Sequence, residues 1–159
     1  MIPDIFTDVA EVAEAGEIDS LTDAATAETE ADHYGSSLSF DWRTGRFRLD
    51  ASGNPIVVTG PESIVEDLVK ALLTARHDFA IYSADYGAEF WELVGTDRDF
   101  AIVEVQRVVN EVATADPRVR AVENLKVEPG PQASLRVSFS VRDFTDEVVA
   151  VPEVVVRYA

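Results

Sequence analysis

Glu89 and Glu92 flank Phe90 and Trp91, and no other stretch of the sequence looks more like an acid–base pair. Two carboxylates suffice for glycoside hydrolysis, one protonated and one ionised. An apolar wall of the Phe-Trp kind raises a glutamate pKa toward the range of a general acid. Glu104 is a third candidate for such a pair. The chain carries 30 acidic residues, however, so neighbours of this kind arise by chance. Solvated helix faces are the simpler account of them. The two histidines, His33 and His77, lie far apart and outside any His-x-His or His-Glu-x-x-His spacing. His77 reads as a helix C-terminal residue, where its charge would suit the dipole. Ser36, Ser37, Ser52 and Ser63 lie outside any nucleophile elbow. Gly45, Gly53, Gly60 and Gly87 are isolated turn glycines, not a phosphate loop. There is no cysteine, which removes disulfides, thiolate-bound zinc and thiol catalysis. The chain is therefore expected to be no enzyme and to need no cofactor or metal.

Asp116-Pro117-Arg118-Val119 differs in kind. An acid and an arginine on either side of a rigid proline hold opposite charges in a fixed relation. On sequence physics alone this is a helix end with a local ion pair.

The elements that must position these residues read as follows. Leu38, Phe40 and Trp42 alternate with polar residues at strand period. Thr44-Gly45 turns the chain, Phe47 and Leu49 continue on a second strand, and Ile56-Val57-Val58 forms a third after a turn at 51–55. The three suggest a small β-meander. Gly60-Pro61-Glu62 starts a helix, with proline in the first turn and an acid at the positive dipole end. Ile64, Leu68, Ala71, Leu72 and Ala75 share one face of it, and it should end near Arg76-His77. A connector over 78–85 carries a buried-looking Phe79-Ala80-Ile81-Tyr82. A short helix over 86–94 stops at Gly95.

Thr96 or Asp97 caps a second long helix, whose buried face is Ala101, Val105, Val108, Val112 and Ala115. Pro117 ends it, because the residue before proline is pushed out of the α region. The remainder is β: Val122, Leu125 and Val127 on one strand, Leu135 to Val141 on the next, Val148 to Tyr158 on the last. Pro152 cannot donate to a ladder, so the last strand is an edge or carries a bulge. The expected fold class is α+β, a small mixed β-sheet packed by two main helices, with a C-terminal β-region.

The net charge is −17, and only two of the 13 basic residues are lysine. Such a field repels nucleic acid and anionic membranes, so neither is an expected partner. Abundant acids with scarce lysine suit a surface adapted to high salt, which suggests a halophilic source. Residues 1–35 hold ten acids and no lysine or arginine. The division expected is an acidic flexible arm over 1–36 and a folded domain over 37–159. Ile2, Ile5, Phe6, Val9 and Val12 form a short apolar stripe within the arm. No apolar run approaches the ~18 residues of a membrane helix, and the N-terminus lacks a basic signal region.

The order of these motifs resembles the baseplate wedge proteins of contractile phage tails and related injection systems, a lysozyme-like wedge family, in its prophage and tailocin-type branch. The resemblance rests on Leu38-Ser39-Phe40-Asp41-Trp42-Arg43-Thr44-Gly45, Leu73-Thr74-Ala75-Arg76, Phe79-Ala80-Ile81-Tyr82-Ser83 with Asp85-Tyr86-Gly87, and the Asp-Pro-Arg-Val turn. It covers roughly residues 37–159. The family's signature turn usually carries Glu, where Asp116 stands here. The resemblance implies a structural component of the baseplate wedge in a virion or tail-like particle, assembled in the host cytoplasm with sixfold symmetry around the tube. It implies that Asp116, Pro117 and Arg118 contact neighbouring wedge subunits. Tail tube or hub proteins and the sheath protein are the other implied partners. The C-terminal β-region resembles the part that exchanges strands with the first sheath ring, and an unpaired edge strand is suited to that. Val154, Val155 and Val156 are where the added strand is expected. Two rival readings are a lysozyme-like glycosidase using two of Glu89, Glu92 and Glu104, and a free cytoplasmic adaptor of a halophile.

Overall fold

A computed structural model describes residues 33–158. The acidic arm expected over 1–36, with its stripe from Ile2 to Val12, lies almost wholly outside the described residues. The α+β class, the two main helices and the C-terminal β-region are as the sequence led us to expect.

The scaffold is a three-stranded antiparallel sheet in the order β5-β6-β7. Its strands are β5 (Val119–Gly130), β6 (Ser134–Asp143) and β7 (Val148–Arg157). β6 is central, and its alternation is the clearest in the chain: Leu135, Val137, Phe139 and Val141 are buried while Arg136 is exposed. β5 is irregular, with a register shift between Glu123 and Lys126 and a positive φ of 54° at Asn124. β7 is both an edge and bulged. Its register slips where Val137 faces Val154 but Phe139 faces Val151, which leaves Pro152 and Glu153 together opposite one residue. Proline without a donor is tolerated there.

Two helices cover the sheet. α1 (Pro61–Leu73) packs on β7, and α2 (Arg98–Thr114) packs on β5 and against α1. α1 begins after Gly60, held at φ 65°, with Pro61 and Glu62 in its first turn. It buries Ile64, Leu68 and Leu72, each contributing about 1.5–3 kcal/mol of apolar burial. It ends at Leu73, a few residues before Arg76-His77. The cause is local: the Thr74 hydroxyl donates to the Lys70 carbonyl at 2.7 Å, and Ala88 N–H reaches the Thr74 carbonyl at 2.9 Å. The chain is thereby drawn out to pair with Ala88 instead of continuing the helix. α2 is capped as expected, the Asp97 carboxylate accepting from the backbone of Asp99 and Phe100. Its buried face includes Ala101, Val105, Val108 and Val112, but Ala115 is exposed. The expected short helix before Gly95 is a single 3-10 turn at Phe90–Leu93.

The N-terminal strands are not a flat meander. β1 (Ser36–Leu38) pairs with β4 (Val57–Thr59), and β2 (Phe40–Asp41) pairs with β3 (Arg46–Phe47). Leu49 bridges Pro55 in a third arm. The arms meet in a closed ring of three backbone hydrogen bonds of 2.9 Å, from Ser39 to Ile56, Ile56 to Arg48 and Arg48 to Ser39. Ser37 of β1 and Ser39, between β1 and β2, turn toward α1. Ser39 is buried and donates to Glu66 at 3.2 Å, and Ser37 donates to Asp67 at 3.0 Å. Leu38 is correspondingly 44 % exposed.

Candidate functional site

The Asp-Pro-Arg turn is the most heavily tied polar feature of the described residues. α2 stops at Thr114, and Val119 N–H returns to the Asp116 carbonyl at 3.0 Å, which closes the turn. The Asp116 carboxylate accepts the Arg118 backbone N–H at 2.9 Å. It also takes the Arg118 side chain as a fork, with Nε at 2.9 Å from Oδ1 and Nη2 at 2.6 Å from Oδ2. Paired donors of this kind fix geometry as well as charge. The aspartate is therefore long enough for a two-pronged grip.

Arg118 then reaches beyond its own turn. Its Nη2 lies 2.9 Å from Asp67 Oδ2 on α1, and Nη1 donates to the Tyr34 carbonyl at 2.6 Å. Asp67 in turn accepts from Lys70 at 2.9 Å and from Ser37. Burial pushes the Asp67 carboxyl up, but hydrogen bonds from Lys70 and Arg118 outweigh it and the net shift is downward. Arg118 is pushed upward, chiefly by its hydrogen bond to Asp116, with Asp67 adding to it against the opposing effect of burial. Arg118 thus clamps the end of α2 to α1 and to the start of the domain. Pro117 stands exposed at the tip. Beside it a hollow of about 420 Å³ opens between α1, α2 and the Tyr86 segment, lined by Asp67, Ala71, Tyr86, Val112, Pro117 and Arg118.

A second anchor lies at the β6–β7 turn. Asp143 is fully buried and accepts from Tyr34 Oη at 2.5 Å, from both the N–H and the hydroxyl of Thr145 at 2.8 Å, and from Glu147 N–H at 2.9 Å. Burial raises its pKa, the Tyr34 and Thr145 hydrogen bonds lower it, and the result is a lowered value. No sequence spacing marks this residue; only the packing of Tyr34 against Phe144, with ring centres 4.7 Å apart, brings the partners together.

The run from Thr74 to Gly87 is a loop with a rigid base and an open tip. Arg76 donates to the Gly87 carbonyl at 3.1 Å and to Glu111 on α2 at 2.7 Å. Gly87 has φ 103°, and a Cβ there would sit 2.7 Å from the Thr74 carbonyl oxygen, so glycine is required. Tyr86 stacks on Tyr82 with centroids 4.3 Å apart. Its hydroxyl is buried without a partner among the described residues, and burial pushes it up to about 12. The Phe79–Tyr82 stretch is not buried as its composition suggested. Phe79 is 54 % exposed and Ile81 85 %. The loop closes on itself at this base, and its apolar tip stands exposed.

Val154, Val155 and Val156 lie on β7, whose far side pairs with no other strand among the described residues. Val154 and Val156 point into the core, while Val155 is 54 % exposed. The three are therefore not equivalent. The carboxylates of the glycosidase reading are engaged separately. Glu104 pairs with Arg107, and Glu89 lies 3.8 Å from both Arg76 and His77. Glu92 is exposed. His77 sits beyond the helix end with φ 70°. Among the described residues, no group of three or more His, Asp and Glu is placed to hold a metal ion, and no helix is long and apolar enough to cross a membrane.

Residues 36–145 match the contractile injection system sheath initiator family, and the chain belongs to that family. The match begins at the first residue of β1 and ends in the β6–β7 turn. The chain is also similar to the phage-like element PBSX protein XkdS of Bacillus subtilis (strain 168), at 29 % identity over 124 residues, which cover 76 % of this chain and 81 % of that protein. Both findings agree with the phage-tail and injection-system resemblance of the sequence. They support the sheath initiator within that group and do not reach as far as the wedge.

Proposed function

We propose that this protein is a non-enzymatic component of a contractile tail baseplate that starts the sheath, joining neighbouring wedge subunits and the tube to the first sheath ring. The observation that carries the reading is the edge strand β7 in a chain of the sheath initiator family. An unpaired edge supplies main-chain donors and acceptors for an incoming strand. Val155 presents an apolar side chain beside that edge, while Val154 and Val156 anchor the strand to the core. On the wedge side, Asp116, Pro117 and Arg118 form a contact with Pro117 at its tip. Arg118 keeps the turn fixed, so that a partner meets a preformed surface instead of paying to order one. Six copies around the tube would suit a sixfold sheath.

The test is Val155→Lys in cells that make the particle. A lysine on an edge strand opposes strand addition without emptying the core. The variant should enter baseplates at the normal level while sheath assembly on them falls severalfold. Full-length sheaths on such baseplates would count against strand addition at β7.

A further inference from the structure

We infer that the N-terminal three-armed β-junction is a docking surface for an acidic, amphipathic segment of another tail protein. The partner's place in the tail rests on the reading above; the surface itself does not.

A solvated sheet turns its apolar side to the core and its polar side to water. Along β1 the junction does the reverse. Ser37 and Ser39 face α1 and are consumed there by Asp67 and Glu66. Leu38, Phe47, Leu49, Ile56 and Val57 are all exposed, between 38 % and 59 %. Single exposed apolar residues are ordinary, but Leu38 faces Val57 across the β1–β4 pair and shares one hollow with Phe47, a grouping of the kind that marks an interface. Beside them, Leu38, Phe40, Trp42 and Phe47 wall a hollow of about 430 Å³ against α1.

Charge names the occupant. Residues 36–60 hold Arg43, Arg46 and Arg48 against Asp41 and Asp50, a local net charge of +1 in a chain of −17. All three arginines are exposed, and none makes an ion pair among the described residues. The nearby acids are already spent. Asp41 accepts the backbone of Arg43 and Thr44, and Asp50 accepts that of Ser52 and Asn54. Glu66 accepts from Ser39, Phe40 N–H and the Trp42 indole. Exposed apolar side chains among uncommitted guanidiniums suit a partner with apolar anchors and carboxylates. A nucleic acid, charged at every phosphate, would meet the chain's overall negative field of −17 far more strongly than a segment bearing a few carboxylates among apolar residues.

The experiment places the photo-crosslinking residue p-benzoylphenylalanine at Val57 in the full chain, in particle-producing cells. Particles are purified, irradiated, and the linked peptides sequenced. The expected product joins position 57 to a segment of another tail protein in which acids outnumber bases and apolar residues recur. Adding Arg46→Glu and Arg48→Glu should cut its yield about tenfold, and the Gln pair should cut it less. A link to a second copy, to nucleic acid or to a basic segment would overturn the inference. So would a yield indifferent to the arginines, or incorporation into particles with no link at all. Absence of the chain from particles would overturn the baseplate reading and this occupant with it.

Discussion

Arg118→Ala should destabilise the isolated protein, although the family resemblance implied a residue kept for contact with neighbouring subunits. The side chain is 19 % exposed and makes a fork to Asp116, a bond to Asp67 and a bond to the Tyr34 carbonyl. A hydrogen bond to a charged group is worth about 1.5–3 kcal/mol, and removing one partner of a buried pair costs about 3–5 kcal/mol. The site is not fully dry, and Asp67 keeps Lys70 and Ser37. The loss should therefore fall near the lower end, about 2–3 kcal/mol. At about 3–5 °C per kcal/mol for a domain of this size, Tm should drop by about 6–15 °C. Urea unfolding followed by the fluorescence of Trp42 and Trp91 measures it, since Trp42 bonds to Glu66 one residue from Asp67. Arg118→Lys keeps the charge but cannot form the fork, and should recover less than half of the loss. A change below about 0.5 kcal/mol for Arg118→Ala, the ordinary scatter of a surface substitution, would refute the clamp and return Arg118 to the role of a free contact residue.

Gly87→Ala should cost more than about 1 kcal/mol, because it combines a positive φ with a Cβ 2.7 Å from the Thr74 oxygen; a melt within a degree of wild type would contradict that. Asp67 and Asp143 both have lowered pKa values, so each lends stability above the usual value of 3.8 that is lost as pH falls through the folded value. Unfolding free energy should thus be flat from neutral pH to about 5 and fall steeply below about 4, and Asp143→Asn should both lower the plateau and flatten the fall. With a net charge of −17, Tm should climb as salt rises from millimolar to molar; equal stability at both extremes would remove the halophile reading.

The two helices and β6 were legible because a single face of each is buried and the period is clean. Ile64, Leu68 and Leu72 on α1, and Leu135, Val137, Phe139 and Val141 on β6, are all in the core. Pro152 correctly announced an edge and a bulge, since its missing donor allows little else. The N-terminal strands misled because alternation does not say which side is buried. Two acids on α1 chose the serines, a tertiary event that no local pattern encodes. Phe79 to Tyr82 read as core by composition, yet they stand exposed at the tip of a loop closed between Arg76 and Gly87. The Asp-Pro-Arg turn was found by its residue types, but its reach to Asp67 and Tyr34 spans 51 and 84 positions and needed the fold. Asp143 had no signal at all, one aspartate among 30 acids.

The most direct test of the sheath-initiator reading is mass spectrometry with copy-number estimation on tail-like particles purified from the organism that makes this protein. The reading predicts this chain beside sheath and tube proteins, at a small fixed number per particle that does not scale with sheath length. A chain absent from particles and free in the cytosol would contradict it, and would favour the adaptor reading.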